Sequence, residues 1–268
     1  MNVVITGSTK GIGLGLARDF LKRNHNVMIS SRGEDAVKAA LATLAGCGAG
    51  KAAGCAADIS NPADARQLWD RAIATFGSVD IWINNAGVTN RKAPFVELAD
   101  EQIATVIATN INGVMNGCKV AITGMLAQGH GTIFNMEGFG SDGLTGPGMS
   151  VYGTTKCAVR YFTKALIKDC KDTPLVIGLM SPGVVVTDLL VRDLYQVGSS
   201  EFEKRRRFMN IFADHVETVT PFLVEGALAA RKTGVAVRWM SPAQALPRLV
   251  KSLFVKRDLF GDGNATRA

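Results

Sequence analysis

The sequence predicts one α/β domain, built on a doubly wound parallel sheet of seven strands with helices on both faces. Short apolar segments alternate with longer segments whose apolar residues recur at helical spacing, and no repeat, low-complexity segment or long linker interrupts the series. Strands and helices of these lengths form βαβ units, which cross over in a right-handed sense and give a parallel sheet. The chain of 268 residues is long enough to bury the core of such a domain.

Each predicted strand is a short run of apolar residues. In chain order the seven strands are NVVIT, NVMIS, AAGCAAD, VDIWINN, GTIFNM, LVIGLM and VAVRWM. The helical segments between them include GIGLGLARDFLKRN, NPADARQLWDRAIATFG and DEQIATVIATNINGVMNGCKVAITGMLAQ. Ser60 and Asn61 before Pro62 are typical of a helix start.

Composition excludes several classes of protein. Met1 runs straight into the first strand without a basic and apolar leader, and no apolar run approaches the roughly 18 residues of a membrane span. The five cysteines are odd in number and lack Cys-x-x-Cys spacing, and the chain has only three histidines, which argues against a disulfide frame and against a metal site. We therefore expect a cytoplasmic protein without a targeting sequence, either soluble or peripherally associated with a membrane.

The positive charge is concentrated near the C-terminus. The formal net charge is +7, and residues 201–268 carry 12 Lys and Arg against 7 Asp and Glu, so +5 of the charge lies there. The segment KRRRF fits a solvated helix face, an anionic ligand or a membrane surface. A nucleic-acid partner is not expected, because no known nucleic-acid motif is present and the basic residues are not interleaved with aromatic ones.

The last helical segment, LPRLVKSLFVKRDLF, is amphipathic. Leu249, Val250, Leu253 and Phe254 form one stripe, and the cations Lys251, Lys256 and Arg257 surround it. Two interpretations stay open. The stripe packs on the body or on another subunit, or it adsorbs to an anionic membrane without spanning it.

A glycine-rich turn follows the first strand. In NVVITGSTKGIG the glycines are Gly7, Gly11 and Gly13. Glycine lets the chain reverse sharply and lets a diphosphate approach the backbone, and the helix that starts near Gly11 directs unpaired N–H groups and a positive dipole end at the phosphates. The turn therefore predicts a Rossmann-type dinucleotide site, although its spacing is G-x-x-x-G-x-G rather than G-x-G-x-x-G.

The end of the second strand selects the nicotinamide cofactor. An Asp or Glu at this place binds the ribose hydroxyls of NAD, whereas a cation favours the 2′-phosphate of NADP. Here the strand ends in ISSRG, so Ser31 and Arg32 stand where an acid would be. Lys10 projects from the glycine turn toward the same corner, and we therefore expect NADPH to be preferred over NADH.

A tyrosine and a lysine provide the acid–base chemistry. In SVYGTTKCAVRYF, Tyr152 and Lys156 are four residues apart and therefore share one face of a helix. An adjacent ammonium favours the phenolate and lowers the tyrosine pKa. The pair can thus exchange a proton with a carbonyl or an alcohol.

Together these motifs resemble the short-chain dehydrogenase/reductase family. TGSTKGIG, NNAG, TNINGV, YGTTK and SPGVVVTD occur in the family's order and spacing from Val3 to about Met240. The resemblance implies that Tyr152 donates the proton, that Lys156 binds the nicotinamide ribose and tunes Tyr152, and that Asn110 holds a water of the proton relay. It also implies four groups of cofactor contacts: Gly7, Ser8, Thr9, Lys10, Gly11, Ile12 and Gly13 at the diphosphate and adenosine phosphate end, Asp58 and Ile59 at the adenine, Asn85, Ala86 and Gly87 at the ribose, and Pro182, Gly183, Val185 and Thr187 at the nicotinamide.

One branch of that family, the chlorophyll b reductases, is more similar still. The segments IFNMEGFGSDG, YGTTKCAV, SPGVVVTDLL and VRWMSP carry this resemblance. It implies reduction of the 7-formyl group of a tetrapyrrole pigment by NADPH, in a domain over residues 1–241 whose segment 187–232 covers the substrate, followed by a helical tail over 242–268. The family also suggests a homo-oligomer. Reduction of another carbonyl, such as a 3-oxoacyl thioester or a steroid-like ketone, and a non-catalytic NADP-binding sensor are the alternatives.

The family's catalytic serine is missing. Most members carry it 13 residues before the tyrosine, and that position holds Phe139 here. The nearest hydroxyl is that of Ser141, in a glycine-rich loop. We therefore take Ser141, or a backbone N–H of residues 138–143, as the candidate that polarises the substrate oxygen.

Overall fold

The computed structural model describes residues 1–188, 190–191, 199–252, 254–255 and 257–260. It confirms the predicted sheet, in which seven parallel strands lie in the order β3-β2-β1-β4-β5-β6-β9. The strands of this sheet are β1 (Asn2–Ile5), β2 (Asn26–Ser31), β3 (Ala52–Ala56), β4 (Ile81–Asn84), β5 (Gly131–Met136), β6 (Leu175–Ser181) and β9 (Ala236–Arg238). A separate parallel pair, not predicted from the sequence, is formed by β7 (Val184–Val186) and β8 (Ala213–His215).

Helices connect the strands and cover both faces of the sheet. They are α1 (Gly11–Lys22), α2 (Glu34–Leu44), α3 (Pro62–Phe76), α4 (Asp100–Ile107), α5 (Gly113–Gln128), α6 (Ser150–Asp169), α7 (Ser199–Phe212), α8 (Val216–Ala229) and α9 (Pro242–Ser252). The start predicted for α3 is correct, because the Asn61 side chain caps the Ala63 N–H at 2.9 Å and Pro62 is the first helical residue. In the described ranges no helix is both long and apolar enough to span a membrane.

Alternation along the strands separates two apolar cores. Val3 and Ile5 of β1 point to one face, where they pack with α1, α2 and α8, whereas Val4 points to the other face, toward α3, α5 and α6. Trp82 is fully buried on this second face. With both faces covered, the functional groups of the fold lie at the carboxyl edge of the strands.

The predicted long helix over residues 100–128 contains an irregular turn. A π-helical segment, Ala108–Asn112, lies between α4 and α5. It places the buried Asn110 under the loop that follows β4, where Asn110 exchanges hydrogen bonds with the backbone of Val88. Single π turns of this kind often occur at functional sites.

Two arginines of the tail point inward. The buried Asp214 carboxylate of β8 accepts hydrogen bonds from Arg248 at 2.6 Å, from Arg257 at 3.0 Å and from the Trp239 indole at 2.7 Å. The apolar stripe of α9 faces outward, with Leu249 47%, Val250 50% and the following Phe254 82% exposed. Leu253 and Lys256 of the predicted amphipathic set lie outside the described residues. The division at residue 241 stays a prediction.

Candidate functional site

The glycine turn between β1 and α1 is closely packed. Gly7 and Gly11 have φ angles of +62° and +54°, a region that favours glycine. A Cβ atom at Gly7 would lie 2.7 Å from the Ala86 Cα atom, and one at Gly13 would lie 2.5 Å from the Gly7 carbonyl oxygen. Because these glycines have no side chains, the backbone N–H groups at the start of α1 are accessible to a ligand. We call this turn the glycine cradle, and it fits a dinucleotide diphosphate.

Side chains from two strands hold this turn in place. The Asn85 side-chain amide donates to the Thr6 and Gly7 carbonyls at 2.9 Å each. The Thr6 hydroxyl accepts from the backbone N–H groups of Asn85 and Ala86 at 3.0 Å each. The Ser8 hydroxyl, fully buried, donates to the Ile5 carbonyl and accepts from the Ser30 amide. Asn85 and Ser8 thus act within the protein, and they fix the crevice between β1 and β4 where the strand order reverses.

The predicted cationic corner lies beside the turn. The Ser8 amide donates to the Ser30 carbonyl at 2.9 Å, so the loop carrying Lys10 adjoins the end of β2, where Ser31 and Arg32 follow. Both Lys10 and Arg32 are exposed. In the next loop Asp58 accepts from the Ser60 hydroxyl at 2.7 Å, and Ile59 is buried. Asp58 is thereby held by its own loop beside the carboxyl end of β3.

Tyr152 and Lys156 lie on the first two turns of α6. The Lys156 ammonium is buried, donates to the Met136 carbonyl at 3.1 Å and lies 5.8 Å from the centroid of the Tyr152 ring. Burial lowers the pKa of Lys156 to about 8, and the nearby Glu137 carboxylate opposes this shift. A cation so close to the phenol stabilises the phenolate, which suits proton exchange near neutral pH.

Asn110 joins the same site from the π-helical segment. A Cβ atom at Gly87 would lie 3.4 Å from Asn110 Oδ1 and 3.6 Å from Lys156 Nζ. Gly87 therefore lies close to the polar side-chain atoms of both residues. The Asn110 amide also donates to the Thr155 hydroxyl at 3.0 Å. The structure thus brings together Asn110, Gly87 and Lys156, which are far apart in the sequence.

The position opposite the tyrosine hydroxyl is Gly138. A Cβ atom there would lie 2.5 Å from Tyr152 Oη, whereas Phe139 is 44% exposed and its ring lies against Gly146. Gly138, and not Phe139, therefore faces the tyrosine hydroxyl. The spacing of 13 residues does not report this position, because the loop is irregular, with positive φ angles at Gly140, Gly143 and Gly148. Ser141 is buried in that loop, and its amide donates to the Gly138 carbonyl at 3.1 Å.

The predicted nicotinamide segment follows β6 and forms β7. Pro182 and Val185 are buried, and Gly183 has a φ angle of +69°. A Cβ atom at Gly11 would lie 3.4 Å from Thr187 Cγ2, so this segment reaches back to the glycine turn. The crevice is therefore bounded by the turn on one side and by residues 182–187 on the other.

Sequence reasoning missed two buried polar residues. Asn90 donates to the Gly148 carbonyl at 2.9 Å and accepts from the Tyr152 amide at 3.1 Å, so it ties the loop after β4 to the start of α6. Glu137 has a side chain only 2% exposed and lies between Arg160 and Arg238. An acid directly after a buried strand was the signal that could have identified Glu137.

Known proteins match most of the chain. Residues 1–195 match the family model of the short chain dehydrogenases. A probable chlorophyll(ide) b reductase of Arabidopsis thaliana is 34% identical over 97% of this chain and 55% of its own length, so the chain spans about half of that relative. A second chlorophyll(ide) b reductase of Arabidopsis thaliana is 37% identical over 87% of this chain and 67% of its own length. The closed form of serine dehydrogenase with NADP+ superposes with a TM-score of 0.76 at 25% identity, covering 91% of this chain and 96% of that one.

The relatives overturn one expectation. Both Arabidopsis reductases are chloroplastic proteins. The cytoplasmic location inferred from the absence of a leader before the first strand is therefore wrong, because the start of this sequence does not report the compartment.

Proposed function

Since the chain belongs to the short-chain dehydrogenase family, we propose that it transfers hydride from NADPH to the 7-formyl group of chlorophyll b or chlorophyllide b. Membership confirms the family resemblance and the prediction of an oxidoreductase enzyme. The Tyr152–Lys156 pair carries the proposal. It lies at the end of a glycine cradle that fits a nicotinamide dinucleotide, and both members of the acid–base pair are present.

The proposed mechanism assigns one task to each residue. The nicotinamide supplies the hydride when it is bound. Tyr152 gives its proton to the carbonyl oxygen, and the Lys156 ammonium favours the resulting phenolate. We assign to Asn110 the water near Lys156 that returns a proton to Tyr152. Both side-chain N–H groups of Asn110 are bonded to Val88 and Thr155, so this water would donate to an oxygen of Asn110.

The substrate class rests on the relatives and on the loop around Ser141. Two chlorophyll(ide) b reductases match most of the chain. Phe139 and Leu144, on either side of Ser141, are 44% and 62% exposed. Apolar side chains at the mouth of a site suit a flat apolar pigment. A homo-oligomer and membrane contact through the outward stripe of α9 are further parts of the proposal.

NADPH as the cofactor rests on the cationic corner. The Ser8 amide is hydrogen-bonded to the Ser30 carbonyl, and Lys10 and Arg32 each follow one of these residues by two positions. No acidic residue ends β2. Charge-assisted hydrogen bonds to a phosphate are among the strong ones, and a guanidinium fits phosphate geometry well.

The proposal is tested by product analysis. The protein is incubated with NADPH and either chlorophyll b or chlorophyllide b, and the pigments are separated by chromatography. We expect the 7-hydroxymethyl product. Reduction of a 3-oxoacyl thioester without any pigment product would favour the other carbonyl reductase. Binding of NADPH without turnover of either substrate would favour the sensor.

Ser141→Ala tests the substitute for the missing serine. We expect kcat to fall near 10²-fold, since a donor aimed at the developing alkoxide in a partly dry site is lost. The rate is compared with that of Ser150→Ala, an exposed serine at the start of α6. An unchanged rate in Ser141→Ala would assign the donor to a backbone N–H of residues 138–143 or to Tyr152 alone.

A further inference from the structure

Glu137 is a buried carboxylate beside the site, and the mechanism above leaves it without a task. It follows the last residue of β5, and its amide donates to the Met180 carbonyl at 2.8 Å. The residue before it, Met136, accepts the hydrogen bond of Lys156, and the residue after it, Gly138, lies against the Tyr152 hydroxyl. Glu137 thus sits between the two backbone positions that contact the acid–base pair.

Two arginines lie against this one carboxylate. Arg160 Nε lies 3.3 Å from Glu137 Oε1, and Arg238 Nε lies 3.6 Å from Glu137 Oε2. Arg160 is one helical turn after Lys156, so the two cations share a face of α6. A buried charge without a counter-ion is strongly unfavourable. The carboxylate therefore supplies the negative charge for Arg160 and Arg238, and it lies near Lys156.

The arginines leave the carboxylate incompletely bonded. Among the described residues, Glu137 Oε1 and Arg160 Nε are both buried without a hydrogen-bond partner despite their short separation. Arg238 is 42% exposed, so solvent screens its charge. The charge of Glu137 also acts on Lys156, since it raises the pKa of that lysine.

We propose that Glu137 is a positioning residue for the acid–base pair, a buried counter-charge that holds Lys156 in its ammonium form. Without it, the buried Lys156 ammonium would lose a counter-charge and would give up its proton more readily, because burial disfavours the charged form. The pKa of Lys156 is consistent with this role, since burial lowers that pKa and the Glu137 carboxylate raises it. This inference rests on the proposed function only in taking Tyr152 and Lys156 as the acid–base pair.

The secondary-structure elements that pack against α6 carry few charged groups. β5, β6 and the π-helical segment, which pack against α6, carry no titratable residue, and α4 carries only the exposed Asp100 and Glu101. Tyr152 is the other titratable group at the site. Removing a negative charge favours deprotonation of both Tyr152 and Lys156, so the direction of the expected shift is the same whichever group titrates first.

A direct titration tests the proposal without any substrate. The protein is labelled with ¹³C at the lysine ε-carbons, and the Lys156 resonance is assigned by its loss in Lys156→Arg. We expect its midpoint to fall by about one pH unit in Glu137→Gln. In Arg238→Gln, which removes a partly exposed cation, we expect the midpoint to rise.

The controls separate this effect from a general loosening of the fold. Asp19→Asn removes another buried carboxylate, held in α1 by the Thr220 hydroxyl, and should leave the midpoint of Lys156 unchanged. An unchanged midpoint in Glu137→Gln, an equal shift in Asp19→Asn, or shifts of the same sign in Glu137→Gln and Arg238→Gln would overturn the proposal. If Glu137→Gln does not fold, the Arg238→Gln variant is sufficient as a test. A Lys156 midpoint that does not rise in that variant would overturn the proposal.

Discussion

Replacement of Tyr152 by Phe is expected to lower kcat by about 10² to 10⁴-fold while NADPH binding survives. The variant keeps the ring that lies 5.8 Å from the Lys156 ammonium, and it loses only the hydroxyl opposite Gly138. Turnover is measured with NADPH and the pigment, and cofactor binding is measured by nicotinamide fluorescence. Loss of rate with retained binding would show that the phenol provides the proton.

Tyr161→Phe is the matched control, because Tyr161 lies on the same helix and is 77% exposed. It should leave the rate unchanged. Near-normal turnover by Tyr152→Phe would mean that the proton comes from another group. Lys156→Ala should weaken both the rate and cofactor binding, since the proposal assigns the lysine to both the phenol and the ribose.

Replacement of Arg32 by Asp is expected to reverse the proposed preference for NADPH over NADH. A charge-assisted hydrogen bond to the 2′-phosphate contributes about 1.5 to 3 kcal/mol, or about 10- to 150-fold in affinity. An aspartate in its place repels the phosphate and accepts hydrogen bonds from the ribose hydroxyls of NADH. The ratio of kcat/KM for the two cofactors should therefore change by more than about 10²-fold.

Lys51→Asp makes the same change in charge at the amino ends of the strands, away from the carboxyl ends that carry the site. The exposed Lys51 precedes β3 there. This variant should leave the ratio unchanged, and measurements at two salt concentrations would separate the local contact from the overall field. Equal kcat/KM for both cofactors in the unmodified protein would contradict the assignment of Lys10, Ser31 and Arg32 to the phosphate.

The sequence alone predicted the features that depend on local spacing. Alternating apolar segments predicted the parallel sheet, because each strand and helix carries its own period. The three glycines predicted the turn after β1, since positive φ angles and close approach to the backbone are properties of single residues. Tyr152 and Lys156 could be paired for the same reason, because four residues along a helix always face the same side.

Only the tertiary structure decided which distant residues meet. It placed Gly138 rather than Phe139 opposite the tyrosine, because the loop between them and α6 is irregular and its length does not report its path. It brought Arg160 and Arg238 from a helix and an edge strand to Glu137. It also turned Arg248 and Arg257 of the tail inward to Asp214, although the amphipathic pattern left open that the apolar stripe packs on the body. Contacts between residues far apart in sequence depend on how the elements pack, and spacing along one element carries no information about that packing.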